Sequence, residues 1–141
     1  MTAPLKRAPA LICCPVLVAV LAGCAATATT SAFKGAQHEV AQVVANLQTE
    51  ATAGEEKKIC TSVLASGVVA RLNKSPGGCE AAIKGQLGEI DSFELTVQTV
   101  QVSAAGTSAS ARVKSIYAGK TAIAGMTLVK ETGKWKVSGL Q

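Results

Sequence analysis

The sequence predicts an α+β domain in which three N-terminal helices pack on a curved four-stranded antiparallel sheet. Two observations carry most of that reading. Apolar residues recur at helical spacing up to Leu87, and from Phe93 onward they alternate with polar ones. A third completes it: the strands are joined by short turns, which suits an antiparallel meander. A run of helices followed by a run of strands places the helices on one face of the sheet.

The first helix spans residues 33–52. Phe33, Ala36, Val40, Val43, Val44, Leu47 and Ala51 share one face, and Glu39, Gln42, Asn46 and Glu50 share the other. Ser31 is placed to cap its start, and Gly54 marks its end. The second helix spans 55–72, with Glu55 and Glu56 favouring its positive N-terminus. Its inner face holds Cys60, Val63, Leu64, Gly67, Val68 and Leu72. Asn73-Lys74-Ser75-Pro76-Gly77-Gly78 breaks it. A short third helix, 79–87, turns Cys79, Ala82, Ile83 and Leu87 inward.

The first strand runs to Val102. Phe93, Leu95 and Val97 alternate inward, then Val100 and Val102 continue out of register with them. A slip of one residue predicts a bulge near Gln98-Thr99 that bends the strand. The second strand, 108–117, puts Ala109, Ala111 and Val113 on one face. The third, 121–131, places Ala122, Ala124, Met126 and Leu128 inward against Ile123, Thr127 and Val129. Thr132-Gly133 forms a two-residue hairpin loop. The last strand, 134–138, points Trp135 and Val137 inward and Lys134 and Lys136 outward.

Ahead of this domain lies an address. Lys6 and Arg7 precede an apolar run over 10–22, well short of the ~20 residues a spanning helix needs. Leu21-Ala22-Gly23-Cys24 follows, and it resembles the cleavage tetrapeptide of bacterial lipoproteins at every position. The resemblance implies a signal peptide over 1–23, a diacylglyceryl group on the Cys24 thiol and cleavage before that residue. The chain would then be held at the extracytoplasmic face of the cell membrane. Two acyl chains, at ~0.8 kcal/mol per buried CH₂, anchor firmly. Residues 24–32 become the lipidated cysteine and a flexible Ala/Thr tether, and 33–141 the single domain.

The formal net charge is +5, from 14 basic and 9 acidic residues, and two of the positive charges leave with the signal. Basic residues are scattered, with one Trp and one Tyr, so nucleic acid is not an expected partner. Of the cysteines, Cys13 and Cys14 fall in the signal and Cys24 takes the lipid. Cys60 and Cys79 remain, an even pair in an oxidising compartment. A disulfide is expected between them, ahead of free thiols, a metal site or a redox pair. No CxxC spacing is present, and the lone His38 lies far off in sequence.

The layout resembles the nuclear transport factor 2-like (cystatin-like) superfamily, and within it the small secreted lipoproteins. Three stretches carry the resemblance. One is the helical segment from Ile59-Cys60 to Gly78-Cys79, and another is the strand Leu95-Thr96-Val97-Gln98-Thr99-Val100-Gln101-Val102. The last is the closing run Leu128-Val129-Lys130-Glu131-Thr132-Gly133-Lys134-Trp135-Lys136-Val137. The resemblance implies a conical pocket between helices and bent sheet. It does not settle function, since enzymes, carriers and interaction modules share such a fold.

Catalytic chemistry is sparse. Asp91, the only Asp, sits at a helix-to-strand junction where turn chemistry accounts for it. His38 falls on the polar side of the first helix, and Glu94 on the solvent side of its strand. Phe93, Tyr117 and Trp135 are the candidate pocket residues. Tyr117 reads first as strand-end packing and Trp135 first as a core anchor. No cofactor, metal or nucleotide motif is present. The expectation is a non-enzymatic, lipid-anchored binding domain holding an apolar small molecule or lipid. The alternative is an interaction module whose open sheet face meets a second copy or an envelope protein. An isomerase or hydratase comes third.

Overall fold

A computed structural model describes residues 30–88, 93–117 and 119–141. Cys24 and Asp91 lie outside the described residues. A 3₁₀ turn, Thr30–Ala32, leads into α1 (Gly35–Ala53). Next come α2 (Glu56–Lys58), running directly into a π-helical turn Ile59–Val63, then α3 (Ser66–Leu72) and α4 (Gly78–Leu87). Four strands follow: β1 (Phe93–Val102), β2 (Ser108–Tyr117), β3 (Lys120–Glu131) and β4 (Lys134–Leu140). They pair antiparallel in the order β1-β2-β3-β4. The α+β layout with a four-stranded meander is therefore as expected, whereas the helical half has four α-helical segments instead of three.

The expected second helix is broken at Leu64 and Ala65. Both residues are extended (ψ 144° and 149°). Leu64 pairs in parallel with Val137, and the Ala65 N–H donates to the Val137 carbonyl at 2.8 Å. Long-range pairing with β4 thus overrides a locally helical pattern. The break also rotates the inner face: Val63, Leu64 and Ala65 are buried, and Gly67 is exposed. At the start of α1, Ser31 lies in the 3₁₀ turn and does not cap; the cap position is Lys34, with no side-chain hydrogen bond. Gly54 ends α1 as expected, in the left-handed conformation (φ 66°), with the Glu55 N–H reaching back to the Glu50 carbonyl.

Cys60 and Cys79 are joined by a disulfide. It ties the π-helical turn to the first turn of α4. The linker between them is tightly folded. The Asn73 Oδ1 accepts from the Cys79 N–H at 2.9 Å, and Gly77 and Gly78 take φ of 81° and 73°. A side chain at Gly77 would place its Cβ 2.5 Å from that of Ala81, so only glycine fits there.

In the sheet, the register shifts between Val97 and Thr99, leaving Gln98 as the extra residue of a β-bulge. This lets both Val97 and Val100 face the core despite their odd spacing. Thr132 and Gly133 both have positive φ (47° and 81°), the signature of a type I′ hairpin. A second register shift, between Thr127 and Leu128, leaves Ser138 extra and carries β4 on to Leu140.

The core lies between α1 and the sheet. Val40, Ala41 and Val44 are wholly buried against Leu95, Val97, Ala109, Ala111, Val113, Met126 and Leu128. The small side chains of Ala109 and Ala111 allow the helix to sit close. Each buried Val or Leu contributes roughly 1.5–3 kcal/mol. Ala122, expected inward, is exposed, and Ala124 is only half-buried. Thr121, Ile123 and Tyr117 are exposed beside them, so this end of the β2–β3 hairpin extends past the described helices.

Both sheet edges are engaged at particular points. Along β1, the Gln37 Nε2 donates to the Val100 carbonyl (3.1 Å), and the Gln48 Oε1 accepts from the Leu95 N–H (2.9 Å). The two glutamines lie about three helical turns apart and so share one face of α1. Along β4, the extended Leu64-Ala65 pair meets the edge at Val137. A bare strand edge would otherwise present unpaired backbone groups.

Candidate functional site

A mostly apolar cavity of about 450 Å³ lies where the helical half meets the ends of β1 and β4. Leu47 and Ala51 from the last turns of α1 form one wall, with Ile59 beside them. Val68 and Leu72 of α3 and Ile83 and Leu87 of α4 form a second. Phe93, Val137 and Leu140 close it from the sheet. The local sequence explains why these side chains converge. The break at Leu64-Ala65 turns α3 away from the π-helical turn, and the disulfide fixes α4 against it. The apolar stripes of α3 and α4 are thereby directed at the end of α1.

Two lining side chains are polar, Arg71 and Gln86. Arg71 is exposed, and none of the ion pairs among the described residues includes it. No carboxylate among the described residues lines the cavity. Its volume falls in the ~300–1,000 Å³ range of small-molecule sites. Leu140 is 72% exposed at the mouth.

Of the expected pocket residues, Phe93 lines this cavity, and Tyr117 and Trp135 do not. Tyr117 is 41% exposed at the end of β2. Trp135 is buried, and its Nε1–H donates to the Glu39 Oε2 at 3.0 Å. The Lys130 ammonium stands 5.4 Å from the Trp135 ring centre and 3.5 Å from the same Glu39 oxygen. This cluster docks the β3–β4 hairpin on α1, a packing role. His38 is exposed, its Nδ1 3.0 Å from the Thr30 carbonyl oxygen. Glu94 is exposed.

A shallower depression of about 480 Å³ carries the other notable polar group, Glu131 and Lys136 beside Cys60, Ser66 and Asn73. Its polar atoms are already engaged. The Glu131 carboxylate accepts from the Ser66 N–H (3.1 Å) and hydroxyl (2.9 Å), holding the start of α3. The Lys136 ammonium donates to the Thr61 and Ser62 carbonyls, closing the end of the π-helical turn. Partial burial lowers its pKa, opposed by Glu131 and assisted by Lys134. A third depression, about 420 Å³, lies over the polar β2–β3 surface. Among the described residues, no three His, Cys, Asp or Glu side chains are grouped to hold a metal ion, and no helix is long and apolar enough to cross a membrane.

No family model and no curated protein matches the chain. Among solved structures it is similar to the protein Rd1NTF2_05 carrying five substitutions. The identity is 18% and the TM-score 0.48, covering 72% of this chain and 94% of that one.

Proposed function

We propose that this chain is a lipid-anchored, extracytoplasmic binding domain, without enzymatic activity, that carries an apolar small molecule or lipid in the cavity between its helices and its sheet. The observation that supports the reading is the cavity itself: about 450 Å³, walled by Leu, Ile, Val and Phe. The superfamily resemblance of the sequence points the same way, since a conical pocket is what it implies. The lipoprotein-like Leu21-Ala22-Gly23-Cys24 supplies the location.

Native mass spectrometry of the full chain, released gently from membranes, tests the carrier. Mass beyond the polypeptide and its anchor, lost on denaturation, is the expected result. Ala51→Trp obstructs the cavity beside Leu47 and should remove that mass. Extra mass that survives in Ala51→Trp, or none in the unaltered chain, would refute the cavity as the site. For the anchor, Cys24→Ser should abolish partitioning into detergent; continued partitioning would mean that the apolar 10–22 segment holds the protein instead.

One observation favours the second reading, an interaction module. Ile123 is 54% exposed on the outer face of the sheet, with half-buried Ile116 its diagonal neighbour on β2. The signature of that reading is a dimer, or a complex with an envelope protein, carrying no extra mass.

A further inference from the structure

The geometry points to a ligand class: we propose that the cavity takes a single-chain amphiphile with an anionic head, its tail among the apolar walls and its head paired with Arg71. This rests on the carrier reading and narrows it. An apolar cavity alone would accept any oily molecule. Here the charged group on its lining is a cation, placed in the last turn of α3 between Val68 and Leu72, which face the cavity with it.

Three features single out Arg71 as a head-group partner. First, its guanidinium has no ion pair among the described residues, although Glu39, Glu50 and Glu55 are all engaged with lysines elsewhere. Second, no described carboxylate lines the cavity to neutralise it or repel an anion. Third, a guanidinium presents paired donors that match a carboxylate or phosphate in two parallel hydrogen bonds, which a lysine cannot do. Gln86, the other polar lining residue, offers an amide donor from α4. The charge sits on an exposed residue, so a tail can be buried while its head keeps contact with water. A neutral head could take only an uncharged hydrogen bond from Arg71, weaker than the charge-assisted bidentate pair, and a cationic one would be repelled.

Photo-crosslinking tests this on the full chain in membranes. The probe is a diazirine analogue of palmitate, competed by palmitate, hexadecyl phosphate or hexadecanol, with the labelled peptides mapped. Labelling is expected on cavity peptides that carry Leu87 or Phe93. The two anionic competitors should act at concentrations on the order of ten-fold below hexadecanol, as a charge-assisted pair implies. Whichever of them is stronger identifies the head as carboxylate or phosphate. Arg71→Gln should erase the preference while leaving hexadecanol competition unchanged, and Arg71→Lys should restore part of it. Equal competition by all three, unaltered in Arg71→Gln, overturns the head-group assignment and leaves the carrier standing. Absence of cavity labelling by any chain overturns both. The unfolding midpoint of Arg71→Gln, expected to match the parent because the residue is exposed, guards against a folding artefact.

Discussion

Removing the Cys60–Cys79 link by the double change Cys60→Ala and Cys79→Ala should cost about 3 kcal/mol of stability. The two cysteines are 19 residues apart in sequence. Freeing a loop of that length returns roughly 3 kcal/mol of conformational entropy to the unfolded chain. Both positions are buried, at 7% and 4% exposure, so the lost sulfur atoms also leave small voids, adding up to about 1 kcal/mol. At several degrees per kcal/mol for a domain of this size, the midpoint should fall by about 10–20 °C. Thermal unfolding followed by the fluorescence of Trp135, the single tryptophan and a buried one, reads this directly. Reducing the parent chain should reproduce most of the shift without creating voids, which separates the two contributions. A midpoint lowered by less than about 3 °C would refute the reasoning. It would mean that the packing of Val68, Leu72, Ile83 and Leu87 alone fixes α3 and α4, and that the link constrains an already structured segment.

Three further outcomes follow from the backbone and from charge. Thr132 is a β-branched residue held at φ 47°, so Thr132→Asn should stabilise by about 1 kcal/mol, read as a raised denaturation midpoint; a loss would show that the Thr132 hydroxyl bond to the Glu131 carbonyl outweighs the strain. Gly77→Ala should destabilise by about 2 kcal/mol or more, from the left-handed φ and the 2.5 Å approach to Ala81, whereas Gly85→Ala, inside α4 and facing open space, should gain about 0.5–1 kcal/mol. Lys136 has a folded-state pKa below its ordinary 10.5, so the unfolded chain binds more protons there, and stability should rise with pH from that lowered value up to 10.5. Denaturant titrations across that interval should show the rise in the parent and not in Lys136→Gln; equal slopes would remove Lys136 as its source.

Local rules were strong where a feature is made by neighbours in sequence. The slip between Val97 and Val100 marks the Gln98 bulge because two core-facing residues three apart cannot share a face of a regular strand. Thr132-Gly133 announces its turn by the glycine that must follow it. The cysteine pair was visible by elimination. The break at Leu64-Ala65 was not, because its cause is Val137, more than seventy residues away, and the apolar spacing through 60–72 fits an unbroken helix. The same limit hid Arg71. As a sequence symbol it is one of fourteen basic residues; only the turn of α3 after the break sets it beside Leu47, Phe93 and Leu140. Trp135 and Tyr117 were natural pocket candidates as large aromatics near a strand end, yet a tryptophan whose N–H finds Glu39 is serving as a fastener.

On the anchoring proposed above, the two glutamines of α1 and the Leu64-Ala65 segment have a consequence at the membrane surface. Lipid anchoring confines molecules to a plane, where collisions between identical neighbours are frequent and their orientations are shared. Small β-domains under such crowding are prone to join strand to strand into ribbons. Here the Val100 carbonyl and Leu95 N–H on one edge and the Val137 carbonyl on the other, groups that would template such growth, are engaged. Gln37→Ala with Gln48→Ala would leave the core side chains in place and free the Val100 carbonyl and the Leu95 N–H of β1 to pair with another copy.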